Sequence, residues 1–187
     1  NSGVQDAEND AAASGTVKIQ DRTQAPYGSP SASYSKVEVD TDDLTFEAAT
    51  GFPRVDGAGD EAFDTQSALS GGATLTIDGL NLTADDGTNV IKGQNGNALT
   101  INVNNSNVLV QGSAIGVATT SDKLRLSNTT VRGDEGYTNG AGVFSTSEGD
   151  SSLFANSTFD SLGTGIQTAD MQDPTFQDNT FSSSSTA

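Results

Sequence analysis

Apolar residues alternate with small polar ones over five short stretches of the chain: Leu75–Leu82 (LTIDGLNL), Ile101–Val108 (INVNNSNV), Leu124–Val131 (LRLSNTTV), Ser152–Phe159 (SLFANSTF) and Pro174–Phe181 (PTFQDNTF). Alternation with period two marks strands that bury one face. In each stretch the run breaks at the fifth position and an apolar residue returns at the eighth. The fifth positions are Gly79, Asn105, Asn128, Asn156 and Asp178, so the units recur at intervals of 26, 23, 28 and 22 residues. A period of that size means that each unit stacks on its neighbours to bury its apolar face. Between the units lies a second apolar spot beside glycine, at Val90–Gly93, Ala114–Val117, Gly140–Val143 and Gly163–Ile166. Each unit therefore holds at least two strands. A hairpin meander would need two-residue turns at about half this spacing, so the pattern predicts parallel coiling.

The rest of the chain is read against that stack. Residues 1–15 are small, polar and acidic and predict an arm without apolar surface of its own. Val17–Ile19 and Val37–Val39 predict short edge strands flanking a turn-rich loop around Pro26, Gly28 and Pro30, and Leu44–Phe46 predicts a degenerate first coil. Asp60–Leu69 predicts a short helix, with acids at its start and Gly71 and Gly72 after it as a stop. Residues 183–187 predict a Ser-rich flexible tail. The expected division is 1–43 for arm and edge strands, 44–182 for the coiled domain, and 183–187 for the tail.

Charge narrows the partners. With 25 acidic and 8 basic side chains, no histidine and a net charge of −17, the surface repels nucleic acid and anionic membranes and suits high salt or divalent cations. The absence of cysteine and histidine removes disulfides, thiolate and histidine metal sites, and Ser-His and Cys-His catalysis. No apolar run approaches the roughly 18 residues of a membrane span. A first residue other than methionine fits a processed, secreted region.

The LxLxNxTV form at 124–131, the FxxN form at 176–179 and the GAGV run at 140–143 resemble the right-handed parallel β-helix of the pectin-lyase-like superfamily, in particular the Asn-rich repeats of surface adhesins. The resemblance spans residues 73–181. It implies an all-β fold: a right-handed parallel β-helix of about five to six coils with an N-terminal arm and short edge strands. Roles in that superfamily run from polysaccharide lyases and hydrolases through phage tailspikes to adhesins and surface filaments.

In such a stack Asn105, Asn128, Asn156 and Asp178 are expected to form a polar ladder where the chain bends, with buried side chains bonding to the coils above and below. Of four Asn-x-Ser/Thr sequons, burial would then reserve Asn128 and Asn156 for structure and leave Asn81 and Asn104 as glycosylation candidates. Asp40, Asp42, Asp43, Asp85, Asp86 and Asn89 offer oxygen ligands for calcium, the one candidate cofactor, although solvated acids explain them as well. Lys123, Arg125 and Arg132, with Asp134 and Glu135, form the basic cluster around which a polysaccharide lyase or hydrolase would be built; a surface ion-pair group is the plainer account. Phe144, Phe154, Phe159, Phe176 and Phe181 read as core, and Tyr27, Tyr34 and Tyr137 as contacts for a glycan or another subunit.

The expected function is that of an extracellular structural or adhesive surface protein rather than an enzyme. It would associate with itself by end-to-end stacking, or by strand addition through Val17, Ile19, Val37 and Val39. The alternatives are a carbohydrate-binding or polysaccharide-degrading β-helix and a viral tail or spike fragment.

Overall fold

The protein is described from a computed structural model covering residues 3–21, 33–93, 98–120, 122–134, 139–145, 151–169 and 171–182. In chain order its elements are α1 (Gly3–Asn9), β1 (Thr16–Ile19), β2 (Val37–Val39), β3 (Thr45–Ala48), β4 (Arg54–Asp56), β5 (Phe63–Thr65), β6 (Thr74–Asp78), β7 (Asn81–Thr83), β8 (Asn89–Lys92), β9 (Thr100–Asn104), β10 (Asn107–Val110), β11 (Ile115–Thr119), β12 (Lys123–Ser127), β13 (Thr130–Gly133), β14 (Ala141–Ser145), β15 (Leu153–Ala155), β16 (Thr158–Asp160), β17 (Thr164–Thr168), β18 (Thr175–Gln177) and β19 (Thr180–Ser182).

Every third strand returns to the same sheet. Sheet A orders β1-β3-β6-β9-β12-β15-β18, sheet B orders β4-β7-β10-β13-β16-β19, and sheet C orders β2-β5-β8-β11-β14-β17. All the pairings are parallel, so the fold is a parallel β-solenoid with three faces. Each of the five complete coils, from β3 to β17, has three strands; the one not expected from the sequence lies just past each bend.

Parallel stacking in register turns sequence alternation into columns. Inside sheet A, Val17, Phe46, Ile77, Val103, Leu126, Phe154 and Phe176 lie one above another. Sheet B stacks Val55, Leu82, Val108, Val131, Phe159 and Phe181, the eighth positions of the repeat. Sheet C stacks Val37, Phe63, Ile91, Val117, Val143 and Ile166. The two phenylalanines that end the sheet B column are larger than the residues below them, and the opposite wall makes room. A Cβ on Gly142 would meet Phe159 Cδ1 at 3.0 Å and Leu162 Cδ1 at 2.9 Å. Aromatic bulk on one wall is balanced by glycine on the other.

The bend between sheets A and B explains the fifth position. Gly79 (φ 72°), Asn105 (49°), Asn128 (51°), Asn156 (49°) and Asp178 (52°) all adopt the left-handed conformation, which favours Gly, Asn and Asp. Their backbone turns the corner while their side chains point out, and Asn105, Asn128, Asn156 and Asp178 are exposed.

The internal polar ladder lies one residue later. Ser106, Thr129 and Ser157 are buried, and each hydroxyl donates to the carbonyl two residues back: Asn104 at 2.7 Å, Ser127 at 3.1 Å and Ala155 at 3.0 Å. The same oxygens accept N–H groups from neighbouring coils, Leu80 to Ser106 (3.2 Å) and Thr129 to Ser157 (3.3 Å), and Asn179 Oδ1 takes the N–H of Ser157 (3.0 Å). Asn105, Asn128, Asn156 and Asp178 are therefore not buried as expected, yet the column does bond between coils on the outside, Asn128 Nδ2 donating to Asn105 Oδ1 (3.3 Å) and Asn105 Nδ2 to Asp78 Oδ1 (2.9 Å), while the buried polar groups lie one residue later.

Two further expectations change. The helix expected over Asp60–Leu69 is instead strand β5 and its flanking turns; Phe63 fills the bore beside Phe46, edge to face at a centroid distance of 5.0 Å. The demand for an apolar rung in sheet C outweighs a weak helical signal. Residues 3–9 of the expected arm form α1, with Val4 and Glu8 buried on one face. The side chains of Val17, Ile19, Val37 and Val39, at most 5% exposed, point into the core of the stack's first rung.

Candidate functional site: the poles and outer faces of the stack

The two ends of the solenoid differ. At the N-terminal pole, β2 presents its edge to α1. Val37 N–H bonds to Ala62 O (2.9 Å) and Val39 O accepts from Gln66 N–H (2.8 Å), so in the alternating parallel pattern Glu38 turns its peptide groups away from β5. The Gln5 carboxamide meets them as a neighbouring peptide would: Nε2 donates to Glu38 O at 2.9 Å and Oε1 accepts from Glu38 N–H at 2.6 Å. One helical turn on, Glu8 Oε1 accepts the N–H groups of Asp40 (3.1 Å) and Thr41 (3.2 Å). Burial pushes the Glu8 carboxyl above its ordinary range, against the pull of those two donors. Val4 closes the core beneath. Spacing of i, i+1 and i+4 places these three side chains together. That spacing was the available sequence signal, obscured by the polarity of the segment.

At the C-terminal pole, β17, β18 and β19 are the last members of their sheets. Phe176 lies on Phe154 and Phe181 on Phe159, with centroids 5.1 and 5.0 Å apart and rings within 11° of parallel. The lower rings are fully buried, whereas Phe176 is 52% and Phe181 39% exposed. The three strands read TGIQT, TFQ and TFS, with no charged residue in a chain of net charge −17. Edge strands exposed to solvent ordinarily carry charge that prevents pairing.

The outer face of sheet B is concave. A groove of about 440 Å³ runs across four rungs, lined by Arg54, Asn81, Leu82, Thr83, Asn107, Val108, Leu109, Thr130 and Arg132. Arg54 is held by Asp56 at 2.8 Å. Asn107 Nδ2 donates to Asn81 Oδ1 (2.8 Å), and Asn81 Nδ2 donates to the carbonyl of Phe52, whose ring is 51% exposed.

The basic cluster expected from sequence is divided. Lys123 and Arg125 lie in β12 of sheet A, while Arg132 belongs to the sheet B groove. Among the described residues no ion pair within 4.0 Å involves these three. The ionic cluster that does form is on sheet C. Lys36 Nζ lies 3.0 Å from Asp60, 3.3 Å from Asp64 and 3.4 Å from both Glu38 and Glu61, and Lys92 reaches Glu61 at 3.4 Å. Partial burial disfavours the Lys36 ammonium, but bonds and charge from Asp60 and Asp64 outweigh it and raise its pKa. Hydrogen bonds from Glu61 and Lys36 lower Asp60 to about 2.

The acids proposed for calcium serve as caps. Asp42 accepts the N–H of Ser70 and Asp43 that of Thr74, both at 2.8 Å; Asp86 accepts the N–H (2.7 Å) and hydroxyl (3.0 Å) of Ser113. Asp40 accepts from the Thr41 hydroxyl (3.4 Å), the Asp85 carbonyl accepts from Thr88, and Asn89 opens β8. Among the described residues no three acidic groups converge to hold a metal. Of the sequons, the Asn81 amide is engaged on both sides and Asn104 is half-buried at the end of β9, whereas Asn128 and Asn156 are exposed. Burial therefore does not reserve the latter pair.

Tyr34 is buried, and its hydroxyl donates to Gln20 O at 3.0 Å. Phe144 lies on the outer face of sheet C, not in the core. Arg22, Tyr27, Glu135, Tyr137 and the Ser-rich tail lie outside the described residues. No described helix is long and apolar enough to cross a membrane. No family model, curated protein or solved structure matches the chain.

Proposed function

We propose that the chain is a structural or adhesive subunit of an extracellular surface that associates with itself through its C-terminal rung. The observation that carries this reading is the half-exposed pair Phe176 and Phe181 on β18 and β19, strands without a charged residue that are joined at the exposed Asp178. Two such poles in contact would cover about 360 Å² of aromatic surface, taking roughly 200 Å² per phenylalanine, for a gross gain of about 9 kcal/mol. That is of the order of the entropy lost on association, so strand-edge hydrogen bonds decide the net affinity, and association is concentration-dependent. Salt and divalent cations strengthen it by screening the −17 charge. Kinship with Asn-rich, pectin-lyase-like surface repeats belongs to the same proposal and rests on the repeat units. Sedimentation at increasing concentration in high salt tests it. The native protein shifts to larger species and the Phe176→Lys, Phe181→Lys double variant does not; a native protein that stays monomeric throughout would refute the reading.

The sheet B groove favours a second reading, carbohydrate binding. Amides, hydroxyls and two arginines beside apolar Leu82, Val108 and Leu109 suit the hydroxyls and faces of sugar rings. Titration with oligosaccharides, neutral and acidic, detects it. Binding that survives Arg132→Ala and Asn107→Ala would place any sugar elsewhere.

A further inference from the structure

Where each of the four Asn-x-Ser/Thr sequons falls against the corner between sheets A and B decides what it exposes. Transfer of a glycan to asparagine needs both the carboxamide of the first residue and the hydroxyl of the third. Asn81 lies two residues past its corner. Its third residue, Thr83, is buried, and its own amide is held by Phe52 O at 2.9 Å and by Asn107 Nδ2 at 2.8 Å. Asn104 lies one residue before its corner, so its third residue is Ser106 of the internal ladder. That hydroxyl is buried, donates to Asn104 O (2.7 Å) and accepts the Leu80 N–H (3.2 Å). Asn128 and Asn156 are themselves corner residues, exposed and left-handed at φ 51° and 49°. Two residues on, Thr130 and Thr158 stand half-buried on the outer face of sheet B, opposite in direction to the core residues Val131 and Phe159 that follow them. Of the four sequons, those that begin at a corner are the two that show both reacting groups.

We infer that Asn156, and after it Asn128, is an acceptor for an N-linked glycan on the coiled chain. The inference rests on the extracellular location proposed above, because sequons are modified on secreted chains. The co-substrate is an oligosaccharide carried on a polyprenyl phosphate or diphosphate. The bond between C1 of its first sugar and the phosphate oxygen breaks, C1 bonds to Asn Nδ2, the carrier leaves as its phosphate, and the amide gives up one proton. Asn156 comes first because, among the described residues, nothing bonds to its carboxamide, whereas Asn128 Nδ2 donates to Asn105 Oδ1 at 3.3 Å. The two corners lie on adjacent rungs, the Asn128 N–H bonding to Ala155 O at 3.1 Å, so their Cα atoms are about 4.8 Å apart. A glycan on one therefore crowds the other. The corner itself does not require the amide, since Gly79 and Asp178 turn the chain at the same place.

The test incubates the folded full chain with a purified oligosaccharyltransferase that accepts the plain Asn-x-Ser/Thr sequon and with a carrier-linked oligosaccharide. Mass spectrometry of its peptides reads the occupancy of each asparagine. Short synthetic peptides carrying each sequon, treated alike, supply the intrinsic reactivity. Relative to its peptide, Asn156 should react at nearly the full rate and Asn128 more slowly. Asn81 and Asn104 should react about thirtyfold more slowly than theirs, because two hydrogen bonds must open at each sequon. Asn156→Asp keeps a residue suited to the corner and should raise the occupancy of Asn128. Thr158→Val keeps an outward β-branched side chain and should abolish modification at Asn156 while urea unfolding shows the fold intact. Equal relative rates at all four asparagines, or corners that stay bare while their peptides react, would overturn the inference. A native protein that carries no glycan, although its corners react with the purified enzyme, would count against the extracellular location and leave the site standing.

Discussion

Replacing Asp122 by asparagine should stabilise the protein at neutral pH and not at pH 4. Asp122 is fully buried just ahead of β12; its Oδ1 accepts the Leu99 N–H at 3.0 Å, while Oδ2 is buried without a partner. Burial raises its pKa from 3.8 to about 6, the Leu99 bond pulling the other way. Because the folded-state value lies above the unfolded one, the native state binds the proton more tightly, and stability falls as pH rises from about 4 to about 6. A difference near 2 units corresponds to about 3 kcal/mol, lost in full above pH 6. Asparagine keeps the acceptor for Leu99 and turns the orphan oxygen into an N–H donor beside Thr119, whose buried hydroxyl also lacks a partner. Urea denaturation of both proteins between pH 4 and pH 8 gives the difference directly, and the other carboxylates cancel in it. The variant should gain roughly 2–3 kcal/mol at pH 7 and little at pH 4. A difference that is flat with pH, or a variant weaker than the native protein at pH 7, would refute the assignment of a buried, strained carboxyl.

Two other substitutions probe the bends and the ionic cluster. Asn128→Val forces a β-branched residue into the left-handed conformation and should cost about 1–2 kcal/mol in thermal or urea unfolding, whereas Asn128→Gly should cost less, since it loses only the 3.3 Å bond to Asn105. Lys36→Met removes the cation shared by Asp60, Asp64, Glu38 and Glu61, and after discounting for the exposed Asp60 should cost on the order of 1–2 kcal/mol above pH 4. Asp60, whose folded pKa of about 2 lies below its unfolded value, gives that stability above pH 4 and loses it as pH falls towards 2. The gap between Lys36→Met and native protein should therefore narrow on acidification; a gap constant from pH 6 to pH 2.5 would mean that Lys36 acts by packing.

The body of the stack was legible in the sequence because it repeats. Leu75, Ile101 and Leu124, or Val108 and Val131, each report the same environment, so the period survives although single positions vary. What misled was direction. A fifth position held by Gly, Asn or Asp shows that the chain turns there, yet the left-handed backbone that selects those residues also aims the side chain outward, leaving the following Ser106, Thr129 and Ser157 to make the internal bonds. Asp60–Leu69 misled for a different reason: its acids are held by Lys36 and the Phe63 side chain by the bore, and neither partner is close in sequence.

The poles are the part a repeat cannot announce, since each occurs once. Gln5 lies in a segment with almost no apolar surface, and its role depends on Glu38, 33 residues away, presenting an N–H and a C=O that no strand takes up. Phe176 and Phe181 look like core by their place in the repeat, and they would be core if one more coil lay above them. A periodic core thus fixes how the chain coils and leaves open how far the coil extends. That second question is settled by the few side chains that satisfy, or leave unsatisfied, the last hydrogen bonds of each sheet. In this protein a glutamine and a glutamate take up the peptide groups that β2 turns outward at one end, while among the described residues Phe176 and Phe181 stay half-exposed at the other.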